Sequence, residues 1–277
     1  MKFDLNASAK EHILVVSHRG ACGGNIPCNT LPAYEAALMQ GSDMLETDVT
    51  ACGDGTLFIF HPTMESHFLH SEKRLHELSA EEVKALRYVN QDGNFTQFGL
   101  MTLDEFFETY KNRCYINVDK FWDNPAAISE AIKRHGMQEQ VVVKSALSEK
   151  VLSVLEEFAP DLAFMPIVTD SFPEHEQLMK RNINYVGAEV LFADDSAEVA
   201  SEAFIDKMHR DGKLVWVNSI IYRYKKQLSG GHSDDSSITV SPEYGWGWLA
   251  DRGFDLIQTD WTMMMVDFLK RTGRYYR

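Results

Sequence analysis

A chain of 277 residues with 44% hydrophobic residues is long enough to bury a sizeable core, which excludes a disordered segment or a small stapled domain. Its formal net charge of -14, with no basic block to offset it, excludes a polyanion such as nucleic acid as the natural partner. No apolar run reaches the ~20 residues of a membrane span and "MKFDLNASAKEH" lacks the order of a signal peptide, so a soluble, cytoplasmic chain is expected unless a leader has been removed.

In chain order, "HILVVSH" (12 to 18) predicts a first strand ending on His18 and Arg19, then a glycine-rich loop and a helix over "LPAYEAALMQ". The cysteines of that loop, 22 and 28, belong to a sparse set of four with 52 and 114, which reads as reduced thiols. "DMLETDV" (43 to 49) is the second strand; "GDG" signals a hairpin and "TLFIF" a return strand leading to His61. Extra polypeptide follows, at about 52 to 101. Strands are then expected at "CYINVD" (114 to 119), "QVVVKS" (140 to 145), "LAFMPIV" (162 to 168), "YVGAEVLF" (185 to 192), "LVWVNSI" (214 to 220) and "FDLIQTD" (254 to 260). Helical patterns stand between them, with a polar excursion at 222 to 237, and the last helix, "WTMMMVDFLKR", reads as a core-facing stripe. Eight strand-helix units predict an α/β fold, a (β/α)8 TIM barrel with a small insertion after strand two, formed by residues 1–277 as one domain. An open doubly wound sheet is the alternative.

Glu46 and Asp48 stand two apart on a strand, so both carboxylates share one face. A two-residue turn at Gly53-Asp54 sets Glu46 opposite His61, and one at Asp54-Gly55 sets Asp48 opposite it; either register brings an imidazole beside the acids. Two carboxylates on one inward face repel unless protonated or bridged, and a hard divalent cation, Mg²⁺ or Ca²⁺, suits oxygen ligands. Asp119, ending the third strand, supplies a third carboxylate at the same rim. Arg19 offers a fork for phosphate, and His18 with His61 can serve as acid and base. These parts share one reading, cleavage of a small-molecule phosphodiester. Glu189, Asn218 and Asp260 also fall at strand ends, where catalytic and hydrogen-bonding structural roles are equally open.

"SHRGACGGNIPCNTLPAYEAALMQGSDMLETDVTACGDGTLFIFHP" resembles the amino-terminal signature of the glycerophosphodiester phosphodiesterases, and "MTLDEFF", "VWVNS" and "GFDLIQTD" echo later parts of it. The resemblance implies a barrel that hydrolyses glycerophosphodiesters to glycerol 3-phosphate and an alcohol. It implies His18 and His61 as the acid/base pair, Arg19 as a phosphate contact, and Glu46 and Asp48 as ligands of one divalent cation, with a cyclic phosphate on the path. The chain departs from the family's Glu-x-Lys on strand three, showing Asp119-Lys120, whose side chains share a face only if the strand ends or bulges there. Lys120 and Lys144 are then the candidates for a further positive charge at the phosphate. Alternatives on the same barrel are a phospholipase-like or other phosphodiesterase, or a silent phosphodiester-binding protein.

Overall fold

The structure, a computed structural model, describes residues 3–222 and 226–276. The chain runs α1 (Leu5–Glu11), β1 (Leu14–His18), α2 (Leu31–Met39), β2 (Met44–Ala51), β3 (Leu57–Ile59), α3 (Glu65–Phe68), α4 (Ala80–Ala85) and α5 (Leu103–Tyr110). It continues through β4 (Tyr115–Asp119), α6 (Pro125–His135), β5 (Val141–Ala146), α7 (Glu149–Phe158), β6 (Ala163–Thr169), α8 (His175–Leu178) and β7 (Gly187–Leu191). The last elements are α9 (Glu202–Arg210), β8 (Leu214–Asn218), α10 (Asp234–Thr239), α11 (Trp248–Arg252), β9 (Leu256–Thr259) and α12 (Thr262–Arg271).

Among the described residues, eight parallel strands close in the order β1-β2-β4-β5-β6-β7-β8-β9 and back to β1, the (β/α)8 barrel rather than an open sheet. Strand alternation explains how one sequence builds both a core and a site. Inward residues at the amino-terminal ends are apolar: Leu14, Val16, Met44, Val142, Met165, Trp216 and Leu256 pack together, with Phe3, Leu5 and Ala9 of the α1 region across that end. Two residues further along the same inward faces come His18, Glu46, Lys144, Asn218 and Gln258, around the opposite mouth. The outward residues between them, such as Val15, Leu45, Ile116, Val143 and Val215, are buried under the surrounding helices. Both faces of each strand are thus covered, and this is why the strands read as unbroken apolar runs.

Residues 52–101 fold back on β2 as β3, two short helices and loops around their own apolar cluster, including Phe58, Phe60, Leu75, Val83 and Tyr88. The hairpin corrects both expected registers. Val49 pairs with Ile59 and Ala51 with Leu57, and Cys52 bonds to Thr56 across a three-residue turn, Gly53-Asp54-Gly55. Gly55 takes the left-handed position (φ 86°) that such a turn requires. In that register Phe60, not His61, sits across from Asp48 through its backbone N–H. The strand has ended by then, and His61 reaches the acids from the loop.

Arg19 and Gly20 both take left-handed backbone, at φ 58° and 80°. A Cβ on Gly20 would lie 2.7 Å from the carbonyl carbon of Ala33, so the chain can leave β1 beneath α2 only with glycine here. Gly20→Ala is expected to cost at least about 2 kcal/mol from strain and overlap. A lower urea midpoint at unchanged slope would register it.

The last helix is a second correction. Met265 is buried, but Trp261, Met263 and Met264 are exposed at the start of α12, so "WTMMM" is only partly a core stripe. No helix among the described residues is long and apolar enough to cross a membrane.

Candidate active site

Parallel register alone sets His18 beside Glu46, Glu46 beside Asn117, and Asp48 beside Asp119. The barrel mouth they form is a chamber of about 330 Å³ whose lining includes His18, Glu46, His61, Asp119, Lys120, Trp122, Lys144, Glu189, Asn218, Tyr222 and Gln258. β4 ends at Asp119 and Lys120 turns left-handed (φ 61°), so both side chains reach the same acids despite being adjacent.

Asp48 is the centre of the cluster. Its Oδ2 lies 2.8 Å from Arg19 Nε and accepts from Asn29 Nδ2 at 3.0 Å, while Lys120 Nζ stands 3.3 Å and His61 Nε2 4.0 Å from its Oδ1. Burial opposes its charge, but Arg19, then Lys120 and His61, outweigh burial and hold it well below the usual carboxylate range. Glu46 behaves in the opposite way. Burial, and then the charge of Asp48, push it up to about 7, although its Oε2 accepts from the backbone N–H of Arg19 at 3.0 Å. Lys120 also pairs with Asp119.

Glu46, Asp48 and Asp119 are all buried and offer oxygens within 4.8 Å of one another. Asp48 Oδ1 has no hydrogen bond, and the raised Glu46 marks negative charge that Arg19 and Lys120 do not fully offset. An oxygen-only donor set of this kind fits a hard divalent cation.

The two imidazoles are held alike. His18 Nδ1 is 2.7 Å from Asp260 Oδ1, and His61 Nδ1 is 2.8 Å from the carbonyl oxygen of Pro62. Both partners are acceptors, so Nδ1 carries the proton in each ring and Nε2 is left to exchange one with a substrate. Burial works against charge on His18, yet Asp260 and Glu46 leave it raised overall; burial leaves His61 lowered.

Several supporting residues lay beyond sequence reasoning. Asn29, left-handed at φ 58°, links Asp48 to the Tyr34 hydroxyl, which donates to its Oδ1. Asp234, inside the polar excursion after β8, accepts from Ser219 Oγ, Trp246 Nε1 and Thr259 Oγ1 at 2.7 Å each, and from the backbone N–H of Asp260 at 2.8 Å. It thereby fixes the residue that orients His18. The contacts of Asp234 join separate segments and no local motif announces them, whereas Asn29 lies in the "IPCNT" stretch, only 19 residues before Asp48.

Lys144 faces the chamber but is already engaged. Its Nζ is 2.8 Å from Glu189 Oε2 and 4.0 Å from the centre of the Trp216 ring, and Asn218 Nδ2 donates to Glu189 Oε1. Both ions of this pair are buried, so removing one strands the other. Lys144→Met is expected to cost about 3–5 kcal/mol, and Lys144→Met with Glu189→Leu much less, as read by thermal or urea unfolding.

A family profile described as a domain of unknown function matches residues 164–269. A glycerophosphodiester phosphodiesterase of Caldanaerobacter subterraneus is 27% identical over 157 residues, 54% of this chain and 64% of that protein, so the match spans under two thirds of the relative's length. A glycerophosphoryl diester phosphodiesterase structure from Parabacteroides distasonis superposes with a TM-score of 0.80 at 16% identity, covering 100% of this chain and 98% of that one. A phosphodiesterase of Oleispira antarctica, solved in complex with the product sn-glycerol-3-phosphate, gives a TM-score of 0.69 at 20% identity, covering 94% and 97%. The chain is thus similar in sequence to glycerophosphodiester phosphodiesterases over about half its length and shares its barrel fold with solved structures that carry that name.

Proposed function

We propose that the chain hydrolyses glycerophosphodiesters to glycerol 3-phosphate and an alcohol, with His18 and His61 as the acid/base pair. The observation that carries this reading is the pair of imidazoles, each with Nδ1 tied to an acceptor, flanking a buried cluster of three carboxylates, Arg19 and Lys120. A phosphodiester-binding protein needs the cations but not two proton carriers held in this way.

Arg19 and Lys120 supply positive charge for the phosphoryl oxygens, Arg19 held by Asp48 and Lys120 shared between Asp48 and Asp119. One imidazole removes the proton of the glycerol hydroxyl next to the esterified carbon as its oxygen attacks phosphorus. The other protonates the departing alkoxide, so the P–O bond to the alcohol breaks as the ring P–O bond forms. Water then opens the cyclic phosphate with the roles reversed, giving glycerol 3-phosphate. A divalent cation bound by Glu46, Asp48 and Asp119 would add Lewis-acid polarisation of a phosphoryl oxygen. Lys144 lines the same chamber, its charge offset by Glu189.

The test is a panel of choline, ethanolamine, glycerol and inositol glycerophosphodiesters, run separately with Mg²⁺ and Ca²⁺. Release of glycerol 3-phosphate from at least one member is expected. Tight binding of the diesters with no product from any of them would instead support the silent binder.

A further inference from the structure

We infer that the alcohol released in this reaction carries an extended apolar chain, seated in the groove between the β1–α2 loop and the start of α12. The inference rests on the phosphodiesterase reading and adds the chemical class of the leaving group. The groove has a volume of about 540 Å³, and His18 lines both it and the barrel-mouth chamber. His18 is therefore shared by two spaces, and a diester with its phosphorus beside His18 and Arg19 has one ester arm for each.

The two spaces differ in chemistry. The chamber is polar, lined by Glu189, Asn218 and Gln258 although the first two already bond to each other, and so suits a hydroxylated arm such as glycerol. In the groove, Trp261, Met263 and Met264 present apolar surface at 50%, 60% and 40% exposure, and Met39, next to the groove residue Gln40, is 81% exposed. Clustered large apolar side chains on so acidic a chain mark a binding surface rather than ordinary decoration. Methionine, unbranched and polarizable, suits a flexible alkyl chain.

Charge makes a small ionic alcohol the poorer substrate without barring it. The charged residues of the groove are His18, Arg19 and Asp260. Asp260 is held to His18 through one oxygen at the groove's inner end, and beyond it Trp261, Met263 and Met264 bring no carboxylate, among the groove's lining residues, to an ammonium group. A neutral alkyl chain satisfies the walls that are there.

The test is kcat/KM for glycerophosphodiesters of ethanol, hexanol and decanol, each below its aggregation limit, with the wild-type chain and with Trp261→Ser/Met263→Ser/Met264→Ser. The three substituted side chains are exposed, and thermal midpoints check that the variant folds. For the wild type, kcat/KM should rise at least about 100-fold from ethyl to decyl ester, a fraction of what full burial of eight methylenes would give. In the variant the rise should shrink to a few-fold. A flat wild-type series with good turnover, or an equally steep series in the variant, overturns the inference and leaves the phosphodiesterase reading intact. No turnover of any ester by the wild type overturns both.

Discussion

His18→Ala and His61→Ala should each lower kcat on a glycerophosphodiester by about 10²–10⁴, the range lost with one positioned acid or base. The fold should survive both changes. His18 is only partly buried and its hydrogen-bond partner Asp260 is half exposed; His61 sits beyond the end of β3, outside the ladder. Unchanged thermal unfolding alongside lost turnover would separate chemistry from folding. Near-normal turnover by both variants would remove the two-histidine mechanism. Asp260→Asn provides a finer test, because it keeps the shape while removing the charge that holds His18 Nδ1.

Metal removal should have an effect as large. Exhaustive chelation should abolish turnover, and Mg²⁺ or Ca²⁺ should restore it, because Glu46 is otherwise left beside Asp48 with burial and like charge both opposing its ionisation. Calorimetric titration with the cation should show one site, weakened at least tenfold by Glu46→Gln or Asp119→Asn. Full activity of a verified metal-free sample would contradict the cation site and leave the acids as partners of Arg19 and Lys120.

Much of this architecture is legible in the chain because barrel strands are covered on both faces. "HILVVSH" and "QVVVKS" could hardly be anything but strands, and β1 and β5 lie within them. Glu46, Asp48 and Asp119 were legible through strand parity and the carboxyl-end rule. Lys120 was ambiguous until the backbone itself turned, since a left-handed residue after β4 is not written in the local sequence. The hairpin shows a different limit. Both expected two-residue turns are local guesses, and the three-residue turn that forms leaves His61 off the pleat but still 4.0 Å from Asp48. The partnership with Asp48 was therefore foreseeable, though not its route.

Long-range polar contacts were the least legible. Asp260 lies 242 residues from His18, and Lys144 crosses the mouth to Glu189; at each position sequence gave only a polar residue at a strand end. The methionines of α12 are split between core and surface because helical spacing alone does not distinguish a buried stripe from an exposed one.

The central claim is cleavage of the bond between phosphorus and the non-glycerol alcohol. It is tested most directly by the ³¹P NMR spectrum of glycerophosphoethanolamine incubated with the protein and Mg²⁺ or Ca²⁺. Growth of the glycerol 3-phosphate resonance, with equimolar free ethanolamine, is the predicted result. Phosphoethanolamine with free glycerol, or a spectrum unchanged for this and every other diester of the panel, would contradict it.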